Sequence, residues 1–175
     1  MIIKNYKTLQ STNLKAKELA KSGAEHWTVL VAEEQTAGYG RKGASWFSPQ
    51  GGLYFTVILP KSNIEDLQTL NILAAFIIAK IIKDNFNLEP LIKLPNDVWI
   101  KGKKVAGIFT ENVIGKEVKL SVMGIGLNTN IEKFPEDLEK TATSLEIELG
   151  SEVDNKKILK QIIAGLKEQL KTISE

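Results

Sequence analysis

The hydrophobic pattern of the chain alternates between short strand-like runs and longer segments with helical periodicity. Three of the long segments predict helices: Leu14–Lys21, a segment from the capping box Ser62-x-x-Glu65 to about Asn85, and an amphipathic segment capped by Asp154. The middle helix is apolar almost all round, which predicts burial by the sheet on one side and by another element on the other. Apolar and β-branched runs predict strands at Ile2–Thr8, Thr28–Glu34, Gly52–Leu59, Val105–Asn112 and Val118–Leu127, with a shorter strand interrupted by Lys93. The order βαβββαββββα predicts an α+β fold with a mixed, mainly antiparallel sheet flanked by helices.

One polar segment, Gln35–Pro49, separates two of these strands, and we call it the glycine loop. Gly38, Gly40 and Gly43 match G-x-G-x-x-G, but the dinucleotide fingerprint also needs a helix directly after it. The aromatic residues and proline that follow oppose a helix. The partner motifs of a protein kinase are missing, and Ala44 stands where a P-loop needs lysine. These three nucleotide-binding classes are therefore excluded.

The glycine loop nevertheless has the chemistry of an anion-binding site. Glycines let backbone N–H groups approach a ligand, and Arg41 and Lys42 add positive charge. Trp46 offers a flat face on which a base could stack. The alternative is a basic surface loop with a buried tryptophan at its base, and the pattern favours the functional interpretation.

Polar or small residues stand out at three further places. Ser11, Thr12 and Asn13 precede a helix, and helix capping is the favoured interpretation over hydrogen bonding to a ligand. Lys93 is costly to bury in its apolar strand unless an anion meets it, which makes it the best catalytic candidate; the alternative is a lysine that snorkels to water. Gly107 indicates a close approach of another group to the backbone.

Gly124 and Gly126 alternate along one face of a predicted strand that leads to Asn128. Two missing side chains leave a smooth surface, either for a flat or extended ligand or for the packing of another element. Asn128 can donate and accept hydrogen bonds at the end of that surface.

Composition limits the classes of function. The 175 residues suffice for one domain, and we expect residues 1–175 to form a single domain. The net charge of +2 gives no support to nucleic-acid binding. Without cysteine and with a single histidine, His26, the chain has no thiol catalysis and no plausible zinc site. The chain shows no signal peptide and no apolar run long enough to span a bilayer, so it is predicted to be soluble and cytoplasmic.

Five motifs, in this order, resemble those of biotin protein ligases. They are Ser11-Thr-Asn13, Gln35 to Trp46, Lys93-Leu-Pro-Asn-Asp97, Gly102-Lys-Lys-Val-Ala-Gly-Ile108 and Gly124-Ile-Gly-Leu-Asn128. The resemblance covers nearly the whole chain and implies the class II synthetase-like fold that biotin and lipoate ligases share. It implies a single catalytic domain, with no N-terminal DNA-binding domain and no C-terminal barrel domain within residues 1–175.

The resemblance implies the two-step reaction of a biotin–[acetyl-CoA-carboxylase] ligase, with ATP and biotin as substrates and Mg²⁺ as the phosphate-bound metal. Biotin's carboxylate attacks the α-phosphorus of ATP, which gives biotinyl-5′-AMP and pyrophosphate. A lysine of a biotin carboxyl carrier protein domain of a carboxylase then attacks the mixed anhydride and releases AMP. Members of the family often dimerise through a sheet edge, so a homodimer is compatible with the resemblance.

The resemblance also implies roles for single residues. Lys93 and Arg41 are the expected catalytic residues, because cations must offset the repulsion between a carboxylate and a polyphosphate. No residue is expected to bind a metal directly. The expected biotin-binding residues are Ser11, Thr12, Asn13, Gln35, Gly38, Tyr39, Gly40, Arg41, Lys93, Gly107, Gly124 and Gly126. The expected nucleotide-binding residues are Arg41, Lys42, Gly43, Trp46, Lys93, Asn96 and Asn128.

The glycine loop departs from the family pattern Gly-Arg-Gly-Arg-x-Gly-Arg, because Tyr39 and Ala44 replace two arginines. Leu94 stands where tryptophan is common. Fewer cations in the loop predict faster loss of the adenylate. Two alternatives remain open: a lipoate–protein ligase on the same fold, and a biotin-binding module without catalysis.

Overall fold

The computed structural model of the chain describes residues 2–60, 67–114 and 119–174. Seven strands form one sheet in the order β1-β2-β3-β7-β6-β5-β4. The pair β1 and β2 is parallel, and the other neighbouring pairs are antiparallel. This confirms the mixed, mainly antiparallel sheet. The strands are β1 (Ile2–Leu9), β2 (Thr28–Gln35), β3 (Leu53–Leu59), β4 (Pro90–Lys93), β5 (Asp97–Ile100), β6 (Lys103–Ile114) and β7 (Lys119–Leu127).

The described ranges contain the α-helices α1 (Thr12–Lys21), α2 (Leu67–Phe86), α3 (Leu145–Leu149) and α4 (Asn155–Ser174). The predicted order has three strands between the first two helices, whereas the described residues have two there, β2 and β3, joined by a glycine loop of turns and one short 3₁₀ turn. Asp154 caps α4 as predicted, since its Oδ1 accepts hydrogen bonds from two N–H groups of the first turn, at 2.8 and 3.0 Å. The predicted capping box at Ser62 lies outside the described residues.

The two faces of the sheet have different covers. On the core face, α2 and α4 pack over a large apolar cluster that includes Phe55, Ile108 and Ile125. On the opposite face, which we call the α1 face, α1 packs on a smaller cluster that includes Leu30 and Val122. The all-round apolar pattern of α2 is explained, because this helix contacts both the sheet and α4. In the described part of the chain, no helix is both long and apolar enough to cross a membrane.

A buried amide on α2 satisfies a backbone group of the sheet. Asn71 Oδ1 accepts hydrogen bonds from the Thr110 N–H at 3.1 Å and from the Thr110 hydroxyl at 2.7 Å, and both residues are buried. The pairing of β5 with β6 stops at Gly107. Beyond that point no strand formed by the described residues pairs with β6 on the β5 side, and Asn71 supplies the acceptor that a strand would have supplied.

We expect Asn71→Ala to lower the free energy of unfolding by about 1–3 kcal/mol, because two buried donors lose their acceptor. Urea unfolding of the two proteins measures the difference. Asn85→Ala is a matched control, since it removes an exposed amide on the same helix that bonds to Gln161. Equal losses in the two variants would contradict the role given to Asn71.

Candidate active site

A cavity of about 390 Å³ opens on the α1 face, between the first turn of α1 and the glycine loop. It brings together most of the residues that the sequence singles out, although they come from five separate segments. The predicted site residues that line it are Ser11, Thr12, Asn13, Gln35, Tyr39, Gly40, Arg41, Lys42, Trp46, Asn96, Gly107, Gly124 and Gly126. The cavity volume is in the range of small-molecule sites.

The polar end of the cavity is the start of α1. Ser11 is the N-cap residue, yet its side chain makes no capping hydrogen bond, and Thr12 and Asn13 direct their side chains to the sheet instead. All three residues are at most 4% exposed. The favoured capping interpretation of these side chains is therefore wrong, and the ligand interpretation is the one that agrees with their positions.

A chain of hydrogen bonds fixes this polar end. The Thr56 hydroxyl on β3 donates to Asn13 Oδ1 at 2.6 Å and lies 2.8 Å from the Thr12 hydroxyl. Gln35 Oε1 accepts from the Thr12 N–H at 2.8 Å, and Gln35 Nε2 donates to the Ser48 hydroxyl at 2.9 Å. Because each of these groups is already fixed by neighbours, a ligand would meet them in a preorganised arrangement.

The floor of the cavity is made by glycines that leave room for two side chains of the protein itself. A Cβ at Gly124 would lie 2.1 Å from Asn13 Oδ1, and one at Gly126 would lie 2.3 Å from Trp46 Nε1. A Cβ at Gly107 would lie 2.9 Å from the Trp46 ring. The alternating glycines were interpreted either as a surface for a ligand or as a surface for packing. The structure shows packing by Asn13 and Trp46, and these two side chains also line the cavity.

Lys104 is a cationic residue of this cavity that the sequence analysis did not select. Its Nζ lies 2.8 Å from Asp97 Oδ1 and 5.0 Å from the centroid of the Trp46 ring. It lines the cavity together with Asp97 and Gly107. The sequence analysis quoted Lys104 within the motif Gly102-Lys-Lys-Val-Ala-Gly-Ile108 but assigned it no role.

A β-bulge directs Lys104 into the cavity. In the register of β5 and β6, Val98 pairs with Ala106 and Trp99 pairs with Lys104, so Val105 is an extra residue. Val105 and Ala106 are consecutive, yet both are fully buried in the core. Strict alternation would place Lys104 and Gly107 on opposite faces, and the bulge puts both on the α1 face.

Lys93 does not line this cavity, although the sequence analysis made it the best catalytic candidate. Its side chain is exposed at the end of the edge strand β4, and its Nζ lies 4.2 Å from the centroid of the Trp99 ring. In the register it pairs with Asp97 of β5, and its own strand β4 lies two strands away from β6, which carries Lys104. Exposure to solvent and the contact with the Trp99 ring stabilise the ammonium without an anion. This position is close to the alternative interpretation, a lysine that snorkels to water.

Gly38 and Gly43 also do not line the cavity. Gly38 is buried at the base of the glycine loop, where a Cβ would lie 2.7 Å from Ser48 Oγ. Gly43 has a φ of 74°, so it serves the turn of the loop. These two glycines shape the loop, and the neighbouring residues form the cavity wall.

Arg41 lies at the mouth of the cavity. Its Nη1 is 3.5 Å from Asn96 Oδ1. Asn96 is itself fixed on β6, since its Nδ2 donates to the Ile108 carbonyl at 3.1 Å and its carbonyl accepts from the Ile108 N–H at 2.9 Å. Arg41 is exposed, and its guanidinium has five N–H donors, which suit a carboxylate or phosphate at the mouth of the cavity.

A second cavity of about 190 Å³ shares Ser45, Trp46 and Lys104 with the first. Aromatic rings form much of its wall. Among the described residues, the Trp46 indole N–H and Asn128 Oδ1 are buried without a hydrogen-bond partner. Aromatic walls with one free donor and one free acceptor suit a purine base, which agrees with the nucleotide role expected for Trp46 and Asn128.

Glu111 on β6 collects three hydrogen bonds beside the polar end of the cavity. Its carboxylate accepts from Lys17 Nζ at 2.9 Å, from Asn13 Nδ2 at 2.9 Å and from the Tyr39 hydroxyl at 2.8 Å. Burial acts to raise the pKa of the Glu111 carboxyl, but the three donors together outweigh it and hold the pKa below its ordinary value of 4.5. The residue is therefore charged at neutral pH.

We expect Glu111→Gln to have a lower free energy of unfolding than wild type at pH 7. The difference between the two proteins should shrink below about pH 4.5. The sign follows from the lowered pKa, because a carboxylate of this kind stabilises the fold above its unfolded pKa and loses that contribution as the pH falls through its folded pKa. Urea titrations across this range measure the difference. Glu33→Gln, at an exposed position of β2, controls for the loss of one carboxylate; a pH-independent difference for Glu111→Gln would contradict the assignment.

Side chains of the described ranges do not form a metal site by themselves, since no group of three or more His, Cys, Asp or Glu there could hold a metal ion. Asp97 is a carboxylate of the cavity wall and is paired with Lys104. Because Mg²⁺ commonly binds one or two protein carboxylates together with substrate phosphates, the arrangement fits a Mg²⁺ ion that arrives with a nucleotide.

Comparison with known proteins places this chain in a family. Residues 6–128 match the model of the biotin/lipoate A/B protein ligase family. The chain is 36% identical over 160 residues to the bifunctional ligase/repressor BirA of Bacillus subtilis, which covers 89% of this chain and 49% of that protein. It is 32% identical over 161 residues to the biotin–[acetyl-CoA-carboxylase] ligase of Paracoccus denitrificans, covering 85% of this chain and 65% of that protein. The chain spans about half the length of the first relative.

The fold is that of solved biotin protein ligases. The structure of biotin protein ligase from Aquifex aeolicus in complex with biotin and ATP superposes with a TM-score of 0.89 at 31% identity, covering 99% of this chain and 72% of that chain. The fold is therefore the expected class II synthetase-like one. Since the family model matches more than half of the sequence and the architecture agrees, the chain belongs to the biotin/lipoate A/B protein ligase family.

Proposed function

We propose that this chain is the catalytic part of an ATP-dependent biotin protein ligase. It activates biotin as biotinyl-5′-AMP and then transfers biotin to a lysine of a biotin carboxyl carrier protein domain. The observation that carries the proposal is the joining of two cavities through shared residues. The first has a preorganised polar end, the second has aromatic walls, and Trp46 and Lys104 line both.

The polar end favours biotin over lipoate. Biotin ends in a ureido group with two N–H donors and one carbonyl acceptor, and Ser11, Thr12 and Gln35 offer hydroxyl and amide groups at that end. The dithiolane ring of lipoate has no such groups. A cavity end lined by fixed polar groups disfavours an apolar ring, because such a ring displaces water from these groups without replacing the hydrogen bonds that the water made.

The chain's cations are placed for the first step. A carboxylate oxygen of biotin forms a bond to the α-phosphorus of ATP, and the bond from that phosphorus to the pyrophosphate oxygen breaks. The approach of two anions is unfavourable unless positive charge lies between them. Lys104 lies where the two cavities meet, and Arg41 lies at the mouth, so we assign the central role to Lys104. Mg²⁺, bound with ATP, supplies further charge to the phosphates.

The second step needs a neutral amine and protection from water. The lysine of the carrier domain attacks the carbonyl carbon of the adenylate, an amide bond forms, and the carbonyl–oxygen bond to AMP breaks. The amine attacks in its neutral form, and the proton that its nitrogen then loses passes to the departing phosphate of AMP or to water, so no general base on the chain is required. Water would attack the same carbon, so the glycine loop over the cavity serves to exclude it until the carrier lysine enters.

Intact-mass analysis of a carrier domain tests the proposal. The purified chain, ATP, Mg²⁺ and biotin should add the mass of one biotinyl group to the carrier domain, and a variant with arginine at the acceptor lysine should remain unmodified. An increase with lipoate instead of biotin would assign the lipoate ligase alternative. No increase with either acid would refute a complete ligase reaction.

A further inference from the structure

Tyr39 joins the glycine loop to the sheet by two contacts. Its hydroxyl donates a hydrogen bond to Glu111 Oε2 at 2.8 Å. Its ring meets the ring of Phe109 edge to face, with centroids 6.0 Å apart and planes at 76°. Glu111 and Phe109 both lie on β6, so one loop residue is held by a polar and an aromatic contact to the same strand.

Helix α1 contributes to the same cluster. Lys17 Nζ lies 2.9 Å from Glu111 Oε1 and 5.6 Å from the centroid of the Tyr39 ring. The side chains of Lys17 and Glu111 are only 25% and 20% exposed, so their ion pair is partly shielded from solvent. The loop, β6 and α1 therefore meet at one carboxylate.

The backbone of the loop transmits this attachment to its neighbours. Tyr39 and Ser45 form an isolated β-bridge, the Gly40 N–H donates to the Ala44 carbonyl at 2.8 Å, and the Trp46 N–H donates to the Gly38 carbonyl at 2.9 Å. Residues 38–46 are thus a small folded-back unit. A contact that fixes Tyr39 also fixes the segment that carries Arg41.

We propose that Tyr39, Glu111 and Lys17 form a latch that holds the glycine loop over the cavity before any ligand binds. Tyr39 is then a positioning residue, because its hydroxyl is occupied by Glu111 and it acts through the placement of Arg41 and Trp46. Tyr39 stands where the family pattern has arginine, and here the positive charge beside Glu111 comes from Lys17. The effect on the adenylate rests on the proposed function; the latch itself does not.

Limited proteolysis of the ligand-free protein tests the latch directly. Trypsin cuts after Arg41 and Lys42, which are exposed within the loop. Tyr39→Phe removes only the hydroxyl and should be cut at these sites roughly tenfold faster, the effect expected from losing one hydrogen bond to a charged group. Tyr6→Phe, the same change on β1, should be cut at the wild-type rate. In a Glu111→Ala background, Tyr39→Phe should increase the cleavage rate little further, because both changes remove the same hydrogen bond.

The outcomes separate the latch from the proposed function. Cleavage of Tyr39→Phe at the wild-type rate would overturn the latch. If the latch positions the loop for the reaction, Tyr39→Phe should release preformed biotinyl-5′-AMP about tenfold faster than wild type, and an unchanged release rate would overturn that role. A wild-type chain that forms no adenylate would refute the proposed function and leave the proteolysis result standing.

Discussion

Lys104→Ala should slow biotin-dependent pyrophosphate release by about 10²–10³-fold, the usual loss when a preorganised charge-stabilising group is removed from an active site. The ammonium lies where the two cavities meet, 2.8 Å from Asp97. Its removal takes away the cation between carboxylate and α-phosphate, and it also leaves the Asp97 carboxylate facing two incoming anions. Initial rates of pyrophosphate formation at saturating ATP and biotin measure the effect.

Two further lysine variants make this test specific. Lys103→Ala removes the adjacent cation, whose Nζ donates to the Glu139 carbonyl at 2.7 Å, and should keep a rate close to wild type. Lys93→Ala should lose far less activity than Lys104→Ala, because its exposed ammonium contacts Trp99 and does not line the cavity. A larger loss in Lys93→Ala would restore the sequence-based assignment of the catalytic lysine and contradict ours.

Arg41→Ala should increase the rate at which biotinyl-5′-AMP leaves the protein by about 10–100-fold, as expected for the loss of a charge-assisted hydrogen bond to phosphate. Arg41 lies at the cavity mouth beside Asn96, whereas the polar end at the start of α1 is where we propose that the ureido group binds. Biotin affinity without ATP should therefore change little. Chase of preformed adenylate with excess unlabelled biotin measures the release rate.

Arg41→Lys is the matched variant, since it keeps the charge but loses the planar fork of the guanidinium. We expect its release rate to lie between those of wild type and Arg41→Ala. An unchanged release rate in Arg41→Ala would contradict the placement of this residue over the adenylate.

The fold followed from the sequence because its cues are local. Strand runs, the cap at Asp154 and the all-round apolar surface of α2 depend on neighbouring residues, and each is present in the structure. The family motifs likewise indicated most of the cavity wall. The extra strand in the predicted order was an error, because the described residues between α1 and α2 form only β2 and β3.

Lys104 could not be selected from the sequence because its orientation depends on a bulge. A strand read with strict alternation places it on the opposite face from Gly107. The extra residue, Val105, is recognisable only from the register of β5 against β6. Lys93, by contrast, interrupts an apolar run, which is a signal visible in the sequence but satisfied here by exposure at a sheet edge.

The latch was invisible for a different reason. Tyr39 and Glu111 are 72 positions apart, and Lys17 and Glu111 are 94 apart, so no local pattern links them. From the sequence, Tyr39 counted as a missing arginine and as one of the expected biotin-binding residues, and faster adenylate loss followed from charge alone. The structure gives this tyrosine a partner, and a hydrogen bond to a shielded carboxylate supplies a second means of holding the loop.

Pyrophosphate release from ATP and Mg²⁺, with biotin, lipoate and octanoate supplied one at a time, tests the central claim most directly. We expect release with biotin and none above background with the other two acids, because only biotin pairs with the polar groups at the start of α1. Release with lipoate or octanoate in place of biotin would contradict the assignment of the substrate. No release with any acid, despite measurable biotin binding, would show a binding module and contradict catalysis by this chain.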